Sequence, residues 1–196
     1  MSTIRRILRA IGNLPNQVYS PREDSFLIID VLSSLPLQNR EVLDLGTGSG
    51  ILGLFCAQNG ASVTVTDVDD RILENVLAAA SKLGLKIKAA QSDMFSNVVG
   101  RFDIVLFNPP YLPSGEIEDS TTDAGIDGRR LIDRFFDGLT DHLREDGFAL
   151  ILVSTLNNPK SIIEQHPNLS INIISRRPLF FEELQVLLCR SRSFTS

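Results

Sequence analysis

The sequence predicts an α/β fold: a mostly parallel seven-stranded sheet with helices on both faces and a C-terminal antiparallel hairpin. Three observations carry that prediction. From Arg40 onward, apolar runs ending in polar or turn residues alternate with helical stretches, the pattern of a parallel sheet with crossover helices. The first run leads straight into a loop with glycine at positions 46, 48 and 50. The last two runs are joined only by Pro178-Leu179-Phe180-Phe181-Glu182, too short for a crossover helix, so these strands should pair antiparallel.

Each element has its own signal. In segment 4–12, Ile4, Ile7, Leu8 and Ile11 share one helical face opposite Arg5, Arg6 and Arg9. Such a helix docks on the body of the protein and is too short and weakly basic for a membrane anchor. A second helix is expected over 20–35, with Ser20 as N-cap, Pro21 in the first turn and Glu23 closing a capping box; Leu35-Pro36 ends it. Strands are predicted at 41–46, 62–67, 86–93, 102–109, 147–155, 171–177 and 183–191. Helices are predicted at 50–59, 69–83 and 127–143, with a turn near 94–99 and one helical turn at 161–165.

Composition narrows the class. At 196 residues the chain has the length of one domain, spanning 1–196, with a helical segment at 1–39 and an αβ core at 40–196. It should bury about 70% of its unfolded surface. The 43% apolar and 22% charged content excludes disordered, collagenous and disulfide-rich classes. Cys56 and Cys189 sit in apolar runs and His142 and His166 are the only imidazoles, too few ligands for a zinc site, so no metal is expected. There is no signal-length apolar region and no run of 18 apolar residues, which points to a reduced, cytoplasmic protein without membrane attachment. The net charge of −5 argues against stable nucleic-acid binding.

The loop Asp44-Leu45-Gly46-Thr47-Gly48-Ser49-Gly50 joins a strand to a helix, where backbone N–H groups and close approach suit a ligand. Gly48 to Gly53 matches the dinucleotide pattern G-x-G-x-x-G, with Asp67 placed for a ribose. Asp44, however, precedes the loop by two residues. A carboxylate repels a pyrophosphate and attracts the ammonium of a methionine moiety, so D-x-G-x-G-x-G favours S-adenosylmethionine. Asp67 is then placed for the ribose diol and Asp93 for the adenine amine, with Met94 and Phe95 covering the ring. Asp93 or Ser92 could alternatively cap the following turn.

The run 102–113 ends a strand in Asn108-Pro109-Pro110-Tyr111. These residues could serve only as a strand-terminating turn. They also suit methyl transfer to a planar nitrogen, whose lone pair is delocalised until the nitrogen is turned toward tetrahedral geometry. Two fixed carbonyls, one from the Asn108 side chain and one from the Pro109 backbone, would accept its N–H groups. The prolines hold Asn108 extended, and Tyr111 could stack on the planar group.

Together the glycine loop and Asn108-Pro109-Pro110-Tyr111 resemble class I methyltransferases, with their Rossmann-like domain, that modify glutamine amide or adenine amino nitrogens. The glutamine methyltransferases of peptide-chain release factors are the closer match. Tyr19-Ser20-Pro21-Arg22-Glu23-Asp24-Ser25-Phe26 resembles that family's N-terminal motif, and Ala124-Gly125-Ile126-Asp127-Gly128 its Gly-Gly-x-Asp-Gly segment with Ala124 in place of the first glycine. The resemblance covers roughly 18–191 and implies the short archaeal and eukaryotic type, which lacks the bacterial N-terminal helical domain. It implies Ser25, Asp44, Gly46, Asp67 and Asp93 as cofactor contacts and Asn108 as the substrate ligand; with the reading of the residues themselves, Gly48, Gly50, Met94 and Asn108 join the expected cofactor contacts, and Asn108, Pro109 and Tyr111 are the expected catalytic residues. It further implies a Gly-Gly-Gln loop of a release factor as substrate and a small zinc-binding activator, which the edge of the strand at 86–93 could receive. The competing readings are an adenine N6-methyltransferase acting on DNA or RNA, and a non-catalytic dinucleotide-binding subunit.

Overall fold

The computed structural model describes residues 3–12, 20–112 and 128–192. Its seven strands are β1 (Glu41–Leu45), β2 (Ser62–Asp67), β3 (Lys88–Gln91), β4 (Phe102–Phe107), β5 (Leu143–Ser154), β6 (Leu169–Pro178) and β7 (Glu183–Ser191). They form one sheet in the order β3-β2-β1-β4-β5-β7-β6. The first five run parallel, and β7 runs antiparallel to both β5 and β6. The mostly parallel seven-stranded sheet and the closing hairpin are therefore as the sequence predicts.

The period-two alternation of each strand divides the core. Val42, Val65, Ile104, Leu106, Leu150 and Leu152 face one layer of helices: α1 (Thr3–Ile11), α2 (Glu23–Leu32), α3 (Ile51–Gln58) and α4 (Asp70–Leu83). Leu43, Leu45, Val105, Phe107, Ala149 and Ile151 face α5 (Arg130–His142) and α6 (Pro159–Gln165). Strands buried on both faces explain the near-continuous apolar runs. Among the described residues no helix is long and apolar enough to cross a membrane. Cys56 and Cys189 are buried, and desolvation pushes both thiols up.

Several boundaries differ from the sequence expectations, the most informative at α2, β3 and β5. The Ser20–Glu23 capping box does not form: α2 starts at Glu23, its N-cap is Arg22 in extended geometry, and no side chain caps it. The acidic pair Glu23-Asp24 in the first turn takes over, complementing the helix dipole. The helix also stops early, at Leu32, because the Ser33 and Ser34 hydroxyls donate to the carbonyls of Ile29 and Val31, each at 2.7 Å. β3 is shorter than 86–93, with Lys86 and Ile87 preceding it. β5 begins at Leu143 directly after α5, and its polar Arg144-Glu145-Asp146 stretch is carried by a register shift against β4 between Phe102 and Ile104. Gly147 fits there because a Cβ would stand 2.8 Å from the Phe102 carbonyl oxygen.

Candidate active site

β1 delivers the chain to the carboxyl edge of the sheet, and the glycine loop turns it into α3. The Thr47 N–H donates to the Thr66 carbonyl at 2.7 Å, tying the loop to β2. Gly46, Gly48 and Gly50 all have positive φ (59°, 51° and 78°), a region that favours glycine. Gly50 is further constrained, since a Cβ there would meet both Val76 methyls at 2.7 Å. Gly53 lets α3 press on the sheet: a Cβ would stand 2.8 Å from Val65 and 3.0 Å from Asp44 Oδ2.

That close approach lets the Gly53 N–H donate to Asp44 Oδ2 at 2.9 Å, where the Thr47 hydroxyl also donates at 2.6 Å. Asp44 is 1% exposed. Burial pushes its carboxyl up to about 7, with repulsion from Asp67 adding to this and the two hydrogen bonds opposing it. Asp67, at the end of β2, accepts from the N–H groups of Gly48 (3.0 Å) and Asp69 (3.3 Å). Its pKa is also raised, chiefly by desolvation.

Two small cavities meet here. One, of about 70 Å3, is lined by the loop from Gly46 to Ser49 together with Ser25, Asp44, Ile51, Leu52 and Asn108. The other, of about 130 Å3, is lined by Gly46, Asp67, Val68, Ser92, Asp93, Met94, Phe107, Asn108, Pro110 and Leu131. Gly46 and Asn108 belong to both. Asp93 sits at the rim, paired with Arg134 at 2.9 Å, while the Ser92 hydroxyl performs the capping by accepting from the Asn97 N–H at 3.0 Å. Met94 takes φ 52° and lines the cavity. Phe95 does not: it packs against the core on the α5–α6 side of the sheet, with its ring stacked on His142 (centroids 4.7 Å apart) and tilted against Phe135 (5.9 Å).

Asn108 follows β4, and its amide is anchored on one side only. Nδ2 donates to Asp24 Oδ2 at 3.2 Å and lies 3.5 Å from the Ser25 hydroxyl. A carboxylate neighbour fixes which end of the amide faces it, since only the NH2 can donate. Oδ1 is buried and has no hydrogen-bond partner among the described residues. An orphaned buried carbonyl costs roughly 1–3 kcal/mol and marks a place where a donor is expected to arrive.

The structure thus gathers Ser25, Asp44, Gly46, Gly48, Asp67, Asp93, Met94 and Asn108 around the two cavities. Gly50 supports them from behind, against Val76. Pro109 is buried directly after Asn108. Tyr111 is set apart: it is buried (9% exposed), packs with the core on the α1–α4 side of the sheet, lines neither cavity and has its carbonyl held by Asn157 Nδ2 at 2.7 Å. A mostly apolar ring gains more from that core than from the cavity rim. Sequence reasoning placed Asp24 in a motif but missed it as the anchor of Asn108, and it missed Val68 and Leu131 as lining. Tyr19 and Ala124-Gly125-Ile126-Asp127 lie outside the described residues.

Comparison with known proteins gives this geometry a family. The sequence profile of the Methyltransferase small domain family matches residues 22–169. A Methanocaldococcus jannaschii protein named for protein N5-glutamine methyltransferase activity is 36% identical over 180 residues, covering 87% of this chain and 90% of that protein. Human Methyltransferase HEMK2 is 29% identical over 165 residues, covering 76% of this chain and 77% of its own. The structure of the E. cuniculi Mtq2–Trm112 complex, described as responsible for methylating the translation termination factor eRF1, contains a chain that superposes with a TM-score of 0.73 at 26% identity, over 89% of this chain and 99% of that one.

The chain belongs to the Methyltransferase small domain family. It is a Rossmann-like methyltransferase, a class whose usual methyl donor is S-adenosylmethionine. The donor set of the site fits that molecule. Backbone at positive φ, with no Cβ at Gly46, Gly48 and Gly50, admits a close ligand. Carboxylates at the ends of β1 and β2 and just beyond β3 suit an ammonium, a ribose diol and an adenine amine.

Proposed function

We propose that this chain methylates the side-chain amide nitrogen of a glutamine in the Gly-Gly-Gln loop of a peptide-chain release factor. The observation that carries this reading is the Asn108 amide, with its NH2 tied to Asp24 and its buried Oδ1 unpartnered. The names of the M. jannaschii relative and of the Mtq2 complex support it.

Bound S-adenosylmethionine supplies an electrophilic methyl group carried on a sulfonium. Ser25, Asp44, Gly46, Gly48, Gly50, Asp67, Asp93 and Met94 form its binding surface. Asp44 answers the ammonium, Asp67 the ribose and Asp93 the adenine edge. Asn108 stands where both cavities meet. Its Oδ1 accepts one N–H of the acceptor amide, and the Pro109 carbonyl, next in the chain, accepts the other. These two acceptors rotate the nitrogen lone pair out of conjugation and aim it along the transfer direction. No strong base is required, because the nitrogen becomes acidic only as the new bond forms; the leaving proton passes along the accepting carbonyls to water.

A second subunit completes the assembly in this reading. β3 is an edge strand of the sheet and offers free ladder positions to another chain. A small zinc-binding activator fits that edge, and the Trm112 partner in the Mtq2 structure supports the idea of a small subunit. The protein works in the cytoplasm, where release factors are found. The test is a transfer assay with labelled S-adenosylmethionine and a recombinant release factor. Replacing the glutamine of the Gly-Gly-Gln loop abolishes incorporation; continued labelling elsewhere, or labelling of adenine in nucleic acid, refutes the proposal.

A further inference from the structure

The turn between β6 and β7 leaves two adjacent phenyl rings in solvent. Phe180 is 91% and Phe181 86% exposed, and their rings lie edge to face with centroids 4.6 Å apart. The turn itself does not require them: Leu179 N–H donates to the Glu182 carbonyl at 2.7 Å, and small polar residues are the usual choice for such a position. A paired, exposed aromatic patch marks an interaction surface.

Its position says which one. Ser154 pairs with Leu184, and the Glu183 N–H donates to the Thr155 hydroxyl at 3.0 Å. The turn therefore projects past the carboxyl end of β5, at the same edge of the sheet as Asn108. β7 is two strands from β4, a lateral distance of roughly 10 Å. An open cavity of about 540 Å3 lined by Pro21, Arg22, Glu23, Phe26 and Arg177 joins the end of β6, just before the turn, to the start of α2. The first turn of α2, which forms part of that wall, also carries Asp24 and Ser25 beside Asn108.

We infer that Phe180 and Phe181 are the docking surface for the polypeptide that presents the acceptor glutamine. The inference rests on the function proposed above. Any protein with a side chain at Asn108 must lie across this edge, and the phenyl pair is the apolar surface it meets beside the cavity. The local charges favour a polypeptide over a nucleic acid. Arg176 is paired with Glu183 at 2.7 Å and Arg177 with Asp30 at 3.4 Å, so both cations at the base of the turn are already answered by carboxylates, where a phosphate backbone would need them uncompensated.

The double variant Phe180→Ala/Phe181→Ala tests this, in the full chain together with any subunit that co-purifies from the native host. Both side chains lie in solvent, so folding is unaffected. The expected result is a KM for the intact release factor raised roughly tenfold or more, the scale of losing aromatic anchors. The kcat at saturation, the S-adenosylmethionine Kd and the rate on a free Gly-Gly-Gln tripeptide stay as in the wild type. An unchanged KM for the intact factor overturns the inference, as does an equal loss on the tripeptide. A variant that becomes monomeric while keeping its KM assigns the rings instead to contact between copies and also overturns it. A wild-type enzyme inactive on the release factor refutes the parent function, and that arm is read separately.

Discussion

The two halves of the site are built on opposite principles. On the β1–β2 side both carboxylates are answered within the chain: Asp44 accepts from Thr47 and Gly53, and Asp67 from Gly48 and Asp69. On the β4 side the chain holds one end of the Asn108 amide through Asp24 and leaves the other end buried and unanswered. A satisfied half can bind a ligand without reorganising. An unsatisfied half gains most when its missing donor arrives, so its contribution falls on the reacting nitrogen and hence on turnover.

If that contrast is right, mutations should divide into those that change turnover and those that change affinity. The largest effect is expected for Asn108→Ala: kcat falls by roughly a hundredfold to a thousandfold, as for loss of a preorganised polar group, while S-adenosylmethionine affinity measured by calorimetry stays within about twofold. Gly50→Ala comes next. A methyl group 2.7 Å from Val76 at φ 78° should destabilise the fold by about 1–3 kcal/mol, read as a lowered denaturation midpoint. Asp67→Ala should weaken cofactor binding by about 1–3 kcal/mol, the scale of lost charge-assisted hydrogen bonds, and leave kcat at saturating cofactor close to wild type. Asp24→Asn should lower kcat by roughly tenfold, since a neutral amide holds the Asn108 NH2 less firmly, with no change in cofactor Kd. A fall in cofactor affinity for Asn108→Ala as large as its fall in kcat would erase the distinction between the halves.

A separate effect is a pH dependence from Asp44. Its carboxyl is raised from 3.8 to about 7 by burial, so the folded chain keeps a proton that the unfolded chain has lost. Stability therefore declines as pH rises from about 4 to about 7 and flattens above that. Cofactor binding should run the other way, tightening over the upper part of this range and releasing a proton, because an ammonium prefers the ionised carboxylate. Thermal melts across pH and calorimetry in buffers of different ionisation enthalpy read the two trends.

Much of this architecture was legible because it repeats simple periods. Strands buried on both faces give apolar runs, and the five-residue link at 178–182 leaves an antiparallel pairing as its outcome. The glycines at 46, 48 and 50 announced their positive φ through their spacing. What escaped the sequence depended on contacts between distant segments. Asp24 and Asn108 are 84 positions apart, and no local pattern says that a carboxylate in the first turn of α2 will meet an amide after β4. Ser20 and Pro21 read as a helix start because that signal is local, yet packing of α2 begins the helix at Glu23. Phe95 and Tyr111 looked like ligand-facing aromatics beside site residues, but the core claimed both. The polar stretch at 144–146 hid the start of β5, since a strand extending past the neighbouring core need not be apolar.

The central claim is that Asn108 acts on the acceptor nitrogen and contributes little to holding the cofactor. It is tested most directly by single-turnover transfer from labelled S-adenosylmethionine to a recombinant release factor, comparing wild type and Asn108→Ala at saturating cofactor, with the modified residue located by mass spectrometry. The account predicts label on the glutamine of the Gly-Gly-Gln loop in the wild type, and a rate at least roughly a hundredfold lower in a variant that binds S-adenosylmethionine normally. An undiminished single-turnover rate in Asn108→Ala, or label on a residue other than that glutamine, would contradict it.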